Sequence, residues 1–273
     1  MCRVLGVDRS CYYHYRRQMD TRPPDPEHEE MLEWVQRVDD ASDHTYGSRR
    51  MKRALNCLGY PVSRNKARNL MREAGVQVRH RKKFKVTTNS NHKQPVYDNL
   101  LQRQFDVPQP DQVYAADVTY VWTQEGWLYL AVVIGLRKVV GWSMSPRMKS
   151  QLVCDALKMA AWQRRPKAGL IHHSDRGSQY ASKAFRKLLR INGFQGSMSR
   201  KGDCWDNAVV ESFFGSLKQE RVQWRNYQTR YEAQQDILQY ISSWYNPYRL
   251  HSTLNYVSPN DYEKRLLETK HAA

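Results

Sequence analysis

The fold class of this chain follows from one stretch, Tyr114-Ala115-Ala116-Asp117-Val118-Thr119-Tyr120-Val121-Trp122. Aromatic and β-branched residues dominate it, and these residue types favour a strand. Asp117 lies in its middle, where aspartate is depleted and where an unpaired buried carboxylate raises the free energy of the fold. The carboxylate of Asp117 therefore needs a partner or a cation, which makes it the first candidate functional group.

Around this stretch the sequence predicts an α/β domain. Two strands follow at Trp127 to Ile134 and Lys138 to Met144, and a fourth is predicted at Leu170 to His173. Helical patterns lie between and after them, at Ser150 to Arg164, Ser182 to Asn192, Asp206 to Gln223 and Arg230 to Trp244. Three antiparallel strands, followed by a strand reached through a helix, indicate a mixed sheet with helices on its faces.

Two further acidic residues lie where a site is expected. Asp175 ends the fourth strand, and strand ends are where α/β sheets place their sites. Glu211 lies opposite the apolar face of its helix, in a polar stripe with Asn207 and Lys218. Three carboxylates without a histidine or cysteine ligand set suit hard cations, Mg²⁺ or Mn²⁺. A pair of such ions can clamp the attacking and leaving oxygens of a phosphoryl transfer.

Neighbouring polar residues are weaker candidates for the third ligand. Asp206 is interpreted as the N-cap of its helix, and Asp203 as a loop residue. His172 and His173 are adjacent in a strand, so their side chains point to opposite faces. Trp205, in the loop before Glu211, fits either a stacked base or core packing.

Composition excludes a membrane protein and favours a nucleic-acid partner. The 273 residues include 44 Lys and Arg against 27 Asp and Glu, a formal net charge of +17, which points to a polyanion. The longest apolar run, Trp127 to Leu136, is too short to span a bilayer. Five cysteines form no CxxC pair, which predicts a reducing cytoplasm without disulfides or a structural zinc site.

The positive charge is concentrated between residues 46 and 93. This segment holds 14 Lys and Arg and one acidic residue, Glu73. Apolar residues at helical spacing predict a helix from Met51 to Leu58, stopped by Gly59, and a second helix that begins after the N-cap Ser63 and stops at Gly75. Two short helices joined by a tight turn predict a helix-turn-helix.

The second helix of this pair presents a one-sided polar row that favours DNA contact, mainly to phosphates. The candidate DNA contacts are Arg64, Lys66, Arg68, Asn69 and Arg72, and a basic tether beyond the helix adds Arg81, Lys82 and Lys83. The alternative is a solvated basic face on a small helical bundle. That bundle would include an earlier predicted helix from Glu27 to about Ala41.

Three motifs in order carry a family resemblance. They are Ala116-Asp117-Val118-Thr119-Tyr120, His173-Ser174-Asp175-Arg176-Gly177-Ser178-Gln179-Tyr180 and Asp206-Asn207-Ala208-Val209-Val210-Glu211-Ser212-Phe213-Phe214. These strings resemble bacterial transposases of the insertion sequence three family, within the retroviral-integrase superfamily. The tail from Tyr245 to Leu254, with Ser258-Pro259, is also similar, so the resemblance covers nearly the whole chain.

The resemblance implies an RNase-H-like integrase catalytic core with an N-terminal helix-turn-helix-like all-α domain. It implies that Asp117, Asp175 and Glu211 form a catalytic triad that holds two Mg²⁺ or Mn²⁺ ions. The implied reaction is cleavage at the 3′ ends of the element, followed by attack of those 3′-hydroxyls on target DNA. Lys218 matches a position where related integrases contact the DNA end, and Asn207 beside it is expected to contact DNA as well.

The resemblance also implies partners and an arrangement of domains. The partners are double-stranded DNA (the terminal repeats and the target), further copies of the chain on that DNA, and a product of an upstream reading frame. The location is the bacterial cytoplasm, at the nucleoid. The expected parts are a helical segment at 1–45, a helix-turn-helix-like region at 46–86, a linker at 87–108, and the catalytic core with C-terminal helices at 109–265. Within the core, Gly196 to Asp206 is expected to be a mobile loop.

One departure from the family pattern lies after the second strand. The family usually reads Val-Ile-Asp-Leu, two residues, then Arg, whereas here Gly135 replaces the aspartate and two residues are missing after Leu136. Because loop length fixes hairpin register, we predict a tighter hairpin at Gly135-Leu136-Arg137 and lower stability or activity than in relatives. A copy that only binds the DNA ends is therefore the alternative function, and a nuclease without strand transfer would use the same triad.

Overall fold

A computed structural model describes residues 6–21, 25–79, 95–102, 104, 107–200 and 204–271. The chain divides into two compact units, Met1–Val78 and Arg79–Ala273. The finer division into four parts, with a linker at 87–108, stays a prediction. Among the described helices, none has the length and apolar character needed to cross a membrane.

The first unit is built from helices in its described part. They are α1 (Arg9–Thr21), α2 (Pro26–Ala41), α3 (Ser48–Cys57) and α4 (Arg64–Glu73). Apolar side chains from α2, α3 and α4 meet in one core, with Val35, Met51 and Leu55 fully buried. The described side chains of α1 are exposed.

The turn between α3 and α4 follows the stop and start signals of the sequence. Gly59 follows α3 with φ +96°, and Gly75 follows α4 with φ +71°, values that favour glycine over other residues. The hydroxyl of Ser63 accepts a hydrogen bond from the backbone N–H of Lys66 at 3.1 Å. Val62, in the turn, is buried in the core. The predicted helix-turn-helix pattern is therefore confirmed at the level of its helices and caps.

The second unit contains the predicted mixed sheet. Its described strands are β1 (Val113–Thr123), β2 (Gly126–Gly135), β3 (Lys138–Ser145), β4 (Ile171–Ser174) and β5 (Gln195–Met198), in the order β3-β2-β1-β4-β5. β1, β2 and β3 pair antiparallel, whereas β4 pairs parallel to β1 and β5 parallel to β4. The α/β fold class expected from the sequence is confirmed.

Helices cover both faces of this sheet. On one face lie α5 (Ser150–Arg164) and α6 (Lys183–Ile191), and on the other lie α7 (Ala208–Glu220) and α8 (Arg230–Gln239). β1 feeds both cores, because Tyr114 and Ala116 face α5 and α6 while Ala115 and Val121 face α7 and α8. α8 continues into a π-helical turn (Tyr240–Tyr245), and α9 (Pro259–His271) follows.

Some elements were not predicted. β5 occupies Gln195–Met198, so part of the expected loop from Gly196 is a strand. Its four residues carry no period-2 pattern of their own, and the exposed edge of β4 supplies the hydrogen-bonding partner that makes them a strand. α9 runs to His271, beyond the expected limit of the core at residue 265.

The hairpin after β2 is as tight as the departure from the family pattern predicts. Gly135 pairs with Lys138, so the loop consists of Leu136 and Arg137, which have φ +48° and +70°. Positive φ at both positions is typical of a type I′ turn. The predicted tight hairpin at Gly135-Leu136-Arg137 is confirmed, and the lower stability or activity than in relatives stays a prediction.

A β-bulge in β3 was not foreseen. Val133 pairs with Gly141 and Ile134 pairs with Val139, so Val140 is the extra residue. A bulge lets two consecutive residues face the same side, and both Val140 and Gly141 lie against α5. A Cβ on Gly141 would lie 2.4 Å from the carbonyl oxygen of an α5 residue. Glycine here therefore permits the close approach of α5 to the sheet.

Candidate active site

Two of the predicted carboxylates lie at matching positions on neighbouring strands. β1 and β4 are parallel, and Ala116 pairs with Ser174. Asp117 and Asp175 are the next residues on their chains, so both carboxylates emerge at the same level of the sheet. The backbone N–H of Val118 donates to Oδ1 of Asp117 at 2.7 Å, which fixes one oxygen of that carboxylate.

The turn after β4 holds the second carboxylate. The backbone N–H of Gly177 donates to Oδ1 of Asp175 at 3.0 Å. A Cβ on Gly177 would lie 2.9 Å from the same oxygen, which is closer than real Cβ contacts. Glycine at this position therefore allows the turn to fold back onto the carboxylate.

The third carboxylate, Glu211, comes from the first turn of α7. The apolar face predicted for this helix is buried in the core, and it consists of Val209, Val210, Phe213, Phe214 and Leu217. Glu211 is exposed on the other side of the helix, and Lys218 lies seven residues further along the same side. Packing of the apolar face thus turns Glu211 and Lys218 away from the core.

Electrostatics link these four side chains. The pKa of Asp117 lies well above its usual value, first because of burial, then because of the negative charge of Asp175 and, less, that of Glu211. The Val118 N–H and the ammonium of Lys218 oppose this rise. Partial burial also raises the pKa of Glu211. The carboxylates are therefore close enough to destabilise one another when they are all ionised.

Lys218 is the cation of this group. Burial lowers the pKa of its ammonium to about 8, and the negative charge of Asp117 opposes that fall. Its Nζ also lies 5.0 Å from the ring centroid of Tyr120, within cation–π range. A partly buried lysine beside carboxylates is a suitable point charge for a phosphate group.

The donor set fits a hard divalent cation. All three side chains offer carboxylate oxygens, which Mg²⁺ and Mn²⁺ prefer, and a positive ion would offset the repulsion that raises the pKa of Asp117. The carboxylate oxygens of Asp117, Asp175 and Glu211 do not all lie within 4.8 Å of one another. Among the described residues, the potential metal ligands that do lie so close together are Asp39, Asp40 and His44. In that group Asp39 Oδ2 and His44 Nδ1 are 2.6 Å apart, so a direct hydrogen bond accounts for the contact.

The interpretation of Asp206 as a helix N-cap is wrong. α7 begins at Ala208 after a 3₁₀ turn, and its N-cap position is Asn207. The fully buried carboxylate of Asp206 instead accepts hydrogen bonds from Asn99 Nδ2 at 2.8 Å and from the backbone N–H of Arg200 at 3.0 Å. It therefore ties the distant segment of Asn99 and the nearby backbone of Arg200 to the start of α7, which helical spacing does not reveal.

The expected DNA contact of Asn207 does not fit its position. The residue is 4% exposed, and its Nδ2 donates to the carbonyl oxygen of Ala116 at 3.2 Å. This hydrogen bond joins the start of α7 to the strand residue that precedes Asp117. Asn207 therefore sets the distance between the helix of Glu211 and the strand of Asp117.

The histidines near the site serve the core. His172 packs its ring 5.1 Å from that of Phe185, and burial lowers its pKa to about 3. His173 contacts the hydroxyls of Ser197 and Ser199, and burial lowers its pKa to about 4. These contacts agree with the interpretation that the two histidines point to opposite faces and are not shared metal ligands.

One polar group beside the carboxylates was missed by sequence reasoning. Tyr180 is 2% exposed, and its hydroxyl has no hydrogen-bond partner among the described residues. Burial raises the pKa of this hydroxyl well above its usual value, and the negative charges of Asp117 and Asp175 raise it further. Tyr180 belongs to the motif quoted above, but nothing in the spacing shows that its side chain turns inward.

The candidate DNA contacts of the first unit lie on one exposed helix. All five of those predicted on α4 are exposed, namely Arg64, Lys66, Arg68, Asn69 and Arg72. Arg81, Lys82 and Lys83 lie outside the described residues, as do Asp203 and the side chain of Trp205. His251 is buried and meets the Tyr245 ring edge to face at 5.0 Å, so it belongs to the core.

Family models match most of the chain. An integrase core domain matches residues 107–204, a second integrase core domain model matches residues 192–259, and an HTH-like domain matches residues 26–84. The catalytic core domain of BIV integrase superposes with a TM-score of 0.44 and 17% identity, covering 59% of this chain and 99% of that one.

Relatives at higher identity extend over nearly the full length. The chain is 41% identical over 267 residues to the insertion element IS600 uncharacterized 31 kDa protein of Shigella sonnei, with 97% of this chain and 98% of the relative covered. It is also 41% identical over 272 residues to the transposase InsF for insertion sequence IS3A of Escherichia coli (strain K12), with 98% and 94% covered. The chain therefore belongs to the family of IS3 insertion-sequence transposases.

Proposed function

We propose that this chain cleaves the 3′ ends of its own insertion sequence and transfers them into target DNA, with Asp117, Asp175 and Glu211 as the catalytic residues. DNA transposition by a polynucleotidyl transferase is the activity of the family. The observation that carries the assignment to these three residues is electrostatic. Asp175 and Glu211 both raise the pKa of Asp117, so three carboxylates from two strands and a helix lie close enough to interact.

The first step hydrolyses a phosphodiester bond, and the second exchanges one phosphodiester bond for another. In the first, water attacks the phosphorus at the end of the element, the bond to the 3′-oxygen breaks, and that oxygen leaves with a proton as a 3′-hydroxyl. In the second, the 3′-hydroxyl attacks a target phosphorus, loses its proton, and displaces the target's own 3′-oxygen. Two divalent cations, Mg²⁺ or Mn²⁺, held by the three carboxylates would supply activation of the attacking oxygen and stabilisation of the leaving one.

The protein's own groups hold this arrangement in place. The Val118 N–H fixes one oxygen of Asp117, and the Gly177 N–H fixes one oxygen of Asp175, so the two backbone contacts orient both carboxylates. The Asn207 amide anchors the start of α7 to β1 and so sets the reach of Glu211. The ammonium of Lys218 would bind a phosphate of the DNA end.

The HTH-like domain and the integrase core domain both indicate DNA binding. The exposed cations of α4 would contact duplex phosphates at the terminal repeats, and the tether with Arg81, Lys82 and Lys83 would follow the backbone. Two ends must be held together for transfer, so we propose multimers on DNA, with an upstream-frame product as a further partner. The proposed location is the bacterial nucleoid.

A copy that binds the DNA ends without catalysis is the second candidate function. The observation that favours it is the turn after β2, where Leu136 and Arg137 both adopt positive φ. Such conformations strain residues other than glycine. Loss of stability in this hairpin would act on β2, the neighbour of the strand that carries Asp117.

The test is resolution of a branched DNA that resembles the product of strand transfer, in Mn²⁺. This substrate needs little end specificity, which suits a chain whose cognate ends are not known. The native chain is compared with Glu211→Gln and with Glu268→Gln, a matched change of an exposed carboxylate on α9. We expect Glu211→Gln to lower the rate by at least about 100-fold and Glu268→Gln to leave it unchanged.

The outcomes separate the two candidates. Equal rates for the native chain and Glu211→Gln would contradict the assignment of the triad. No activity from the native chain, with activity after an aspartate at position 135 and two added turn residues, would favour the non-catalytic copy. No activity from either the native chain or the chain with the restored turn would indicate that the upstream-frame product is a missing component.

A further inference from the structure

Large aromatic side chains are exposed at the tip of the hairpin formed by β1 and β2. Trp122 is 54% exposed and Trp127 is 43% exposed, although tryptophan is on average a well-buried residue. The two are direct cross-strand partners, with ring centroids 4.8 Å apart. Tyr120 lies on the same strand face, 4.9 Å from the ring of Trp127. We call Tyr120, Trp122 and Trp127 the aromatic strip.

The aromatic strip begins at the candidate active site. Tyr120 follows Asp117 by three residues on β1. The Nζ of Lys218 lies 5.0 Å from the Tyr120 ring and interacts with the charge of Asp117. Asp117 and Tyr120 leave opposite faces of β1, and Lys218 is the residue that links them, because its ammonium interacts with the charge of Asp117 and contacts the Tyr120 ring.

No core of the described residues covers the aromatic strip. On the same sheet face, Tyr114 and Ala116 are buried under α5 and α6, whereas the strip lies further along β1, beyond that core. The Trp122–Trp127 contact stabilises the hairpin through their cross-strand pairing. The two rings meet edge to face, at an interplanar angle of 72°, and this contact leaves about half of each side chain exposed.

We propose that the aromatic strip binds unpaired nucleobases of the DNA whose phosphates are held at the carboxylates. Proteins that hold single-stranded DNA combine cations for the backbone with aromatic rings on which bases stack. Lys218 supplies the cation and the strip supplies rings in series beside it. The inference rests on the proposed function only in that DNA is the substrate, and the net charge of +17 favours the same polyanion.

Binding of the full-length chain to two probes tests the proposal. The probes are a short oligothymidine and a duplex of equal length, each titrated without divalent metal. The double variant Trp122→Leu/Trp127→Leu keeps apolar bulk but removes both π-faces. We expect it to bind oligothymidine at least about tenfold more weakly, with a change of less than about twofold for the duplex.

Matched variants make the result specific. Trp162 on α5 is 75% exposed, and Trp162→Leu should leave both affinities unchanged. Trp122→Phe/Trp127→Phe should retain most of the oligothymidine affinity, because phenylalanine still stacks. Thermal melting of each variant checks that the fold is intact.

Three results would overturn the proposal. The first is an unchanged oligothymidine affinity in the double Leu variant. The second is an equal loss for both probes, which would assign the strip to backbone contact or to folding. The third is a loss of self-association with unchanged DNA affinity, which would make the strip a surface for another copy of the chain.

The binding readout is independent of catalysis. The affinities are measured without divalent metal, so failure of Glu211→Gln to resolve branched DNA leaves the proposal for the aromatic strip unaffected. Conversely, if the tryptophan variants are folded, active and bind oligothymidine normally, the proposal for the aromatic strip is wrong and the assignment of the triad stands.

Discussion

His172 shows how one residue couples this core to pH. It follows the first residue of β4, with its ring against Phe185 and Tyr180 and its Nε2 buried without a hydrogen-bond partner among the described residues. Burial lowers its pKa to about 3, so the ring is neutral in the folded chain near neutral pH. In the unfolded chain the same ring has a pKa of about 6.5.

This difference sets the direction of a stability prediction. As pH falls below about 6.5 the unfolded chain gains the proton first, so the stabilisation is complete above that pH and is lost progressively toward pH 3. Between pH 7.5 and pH 5.5 the free energy of unfolding should fall in both chains. We expect the fall to be about 1.4 kcal/mol smaller in His172→Phe than in the native chain. Urea unfolding at the two pH values measures this, and an equal loss in both chains would contradict the shift.

At the scale of elements, the two-residue hairpin is the feature that distinguishes this chain from the family pattern. Leu136 and Arg137 carry φ +48° and +70°, where residues other than glycine and asparagine are strained. Type I′ turns favour Asn-Gly for this reason. The bulge at Val140 then brings β3 back against α5, so the sheet accommodates the short loop at the expense of local strain.

The turn predicts a gain of stability from its preferred residues. We expect Leu136→Asn/Arg137→Gly to raise the free energy of unfolding by about 1–2 kcal/mol, measured by urea unfolding. The control is Gln124→Asn/Glu125→Gly in the turn between β1 and β2, whose two residues do not have positive φ. A similar gain from the control would mean that the benefit does not come from relief of left-handed strain.

The far end of α7 is fixed by a buried ion pair. Arg249 and Glu220 are each less than 5% exposed, and their guanidinium and carboxylate groups approach to 2.6 Å. The Tyr240 hydroxyl donates to the same carboxylate at 2.7 Å. Because Asn207 holds the other end of the helix at β1, α7 is tied at both ends, which limits rotation of Glu211 away from Asp117.

At the scale of the whole molecule, charge decides how the chain meets DNA. Of the 17 net positive charges, the segment 46–93 supplies most, with 14 basic residues and one acidic residue. The described part of that segment exposes four cations on α4. Contacts of this kind release counterions from DNA, so binding weakens steeply as salt is added.

The salt dependence of DNA binding therefore tests whether the cations of α4 contact the DNA phosphates. We expect replacement of Arg64, Lys66, Arg68 and Arg72 by Gln to reduce the slope of log K against log salt by up to about 3–4 units for duplex DNA. The control replaces Lys183, Lys187 and Arg190, exposed on α6. An equal reduction in the control would show that net charge, rather than α4, governs binding.

Local patterns determined much of this protein. Ser63, Gly59 and Gly75 define the ends of α3 and α4 because caps and left-handed turns act within a few residues. The apolar face of α7 follows from the helical period, and the aromatic and β-branched residues of β1 favour a strand, which is why the strands, helices and mixed sheet were predictable. The spacing of the motifs gave the candidate carboxylates and, with the resemblance, the family.

Only the tertiary structure decided the long-range contacts. β5 exists because the edge of β4 is available, Asp206 is held by the distant Asn99, and Asn207 turns inward to the Ala116 carbonyl. Trp122 and Trp127 likewise remain exposed because they lie outside the core that α5 and α6 form with the sheet. The sequence determined what each segment prefers by itself, whereas the tertiary structure decided which polar groups find partners, because those partners lie far apart along the chain.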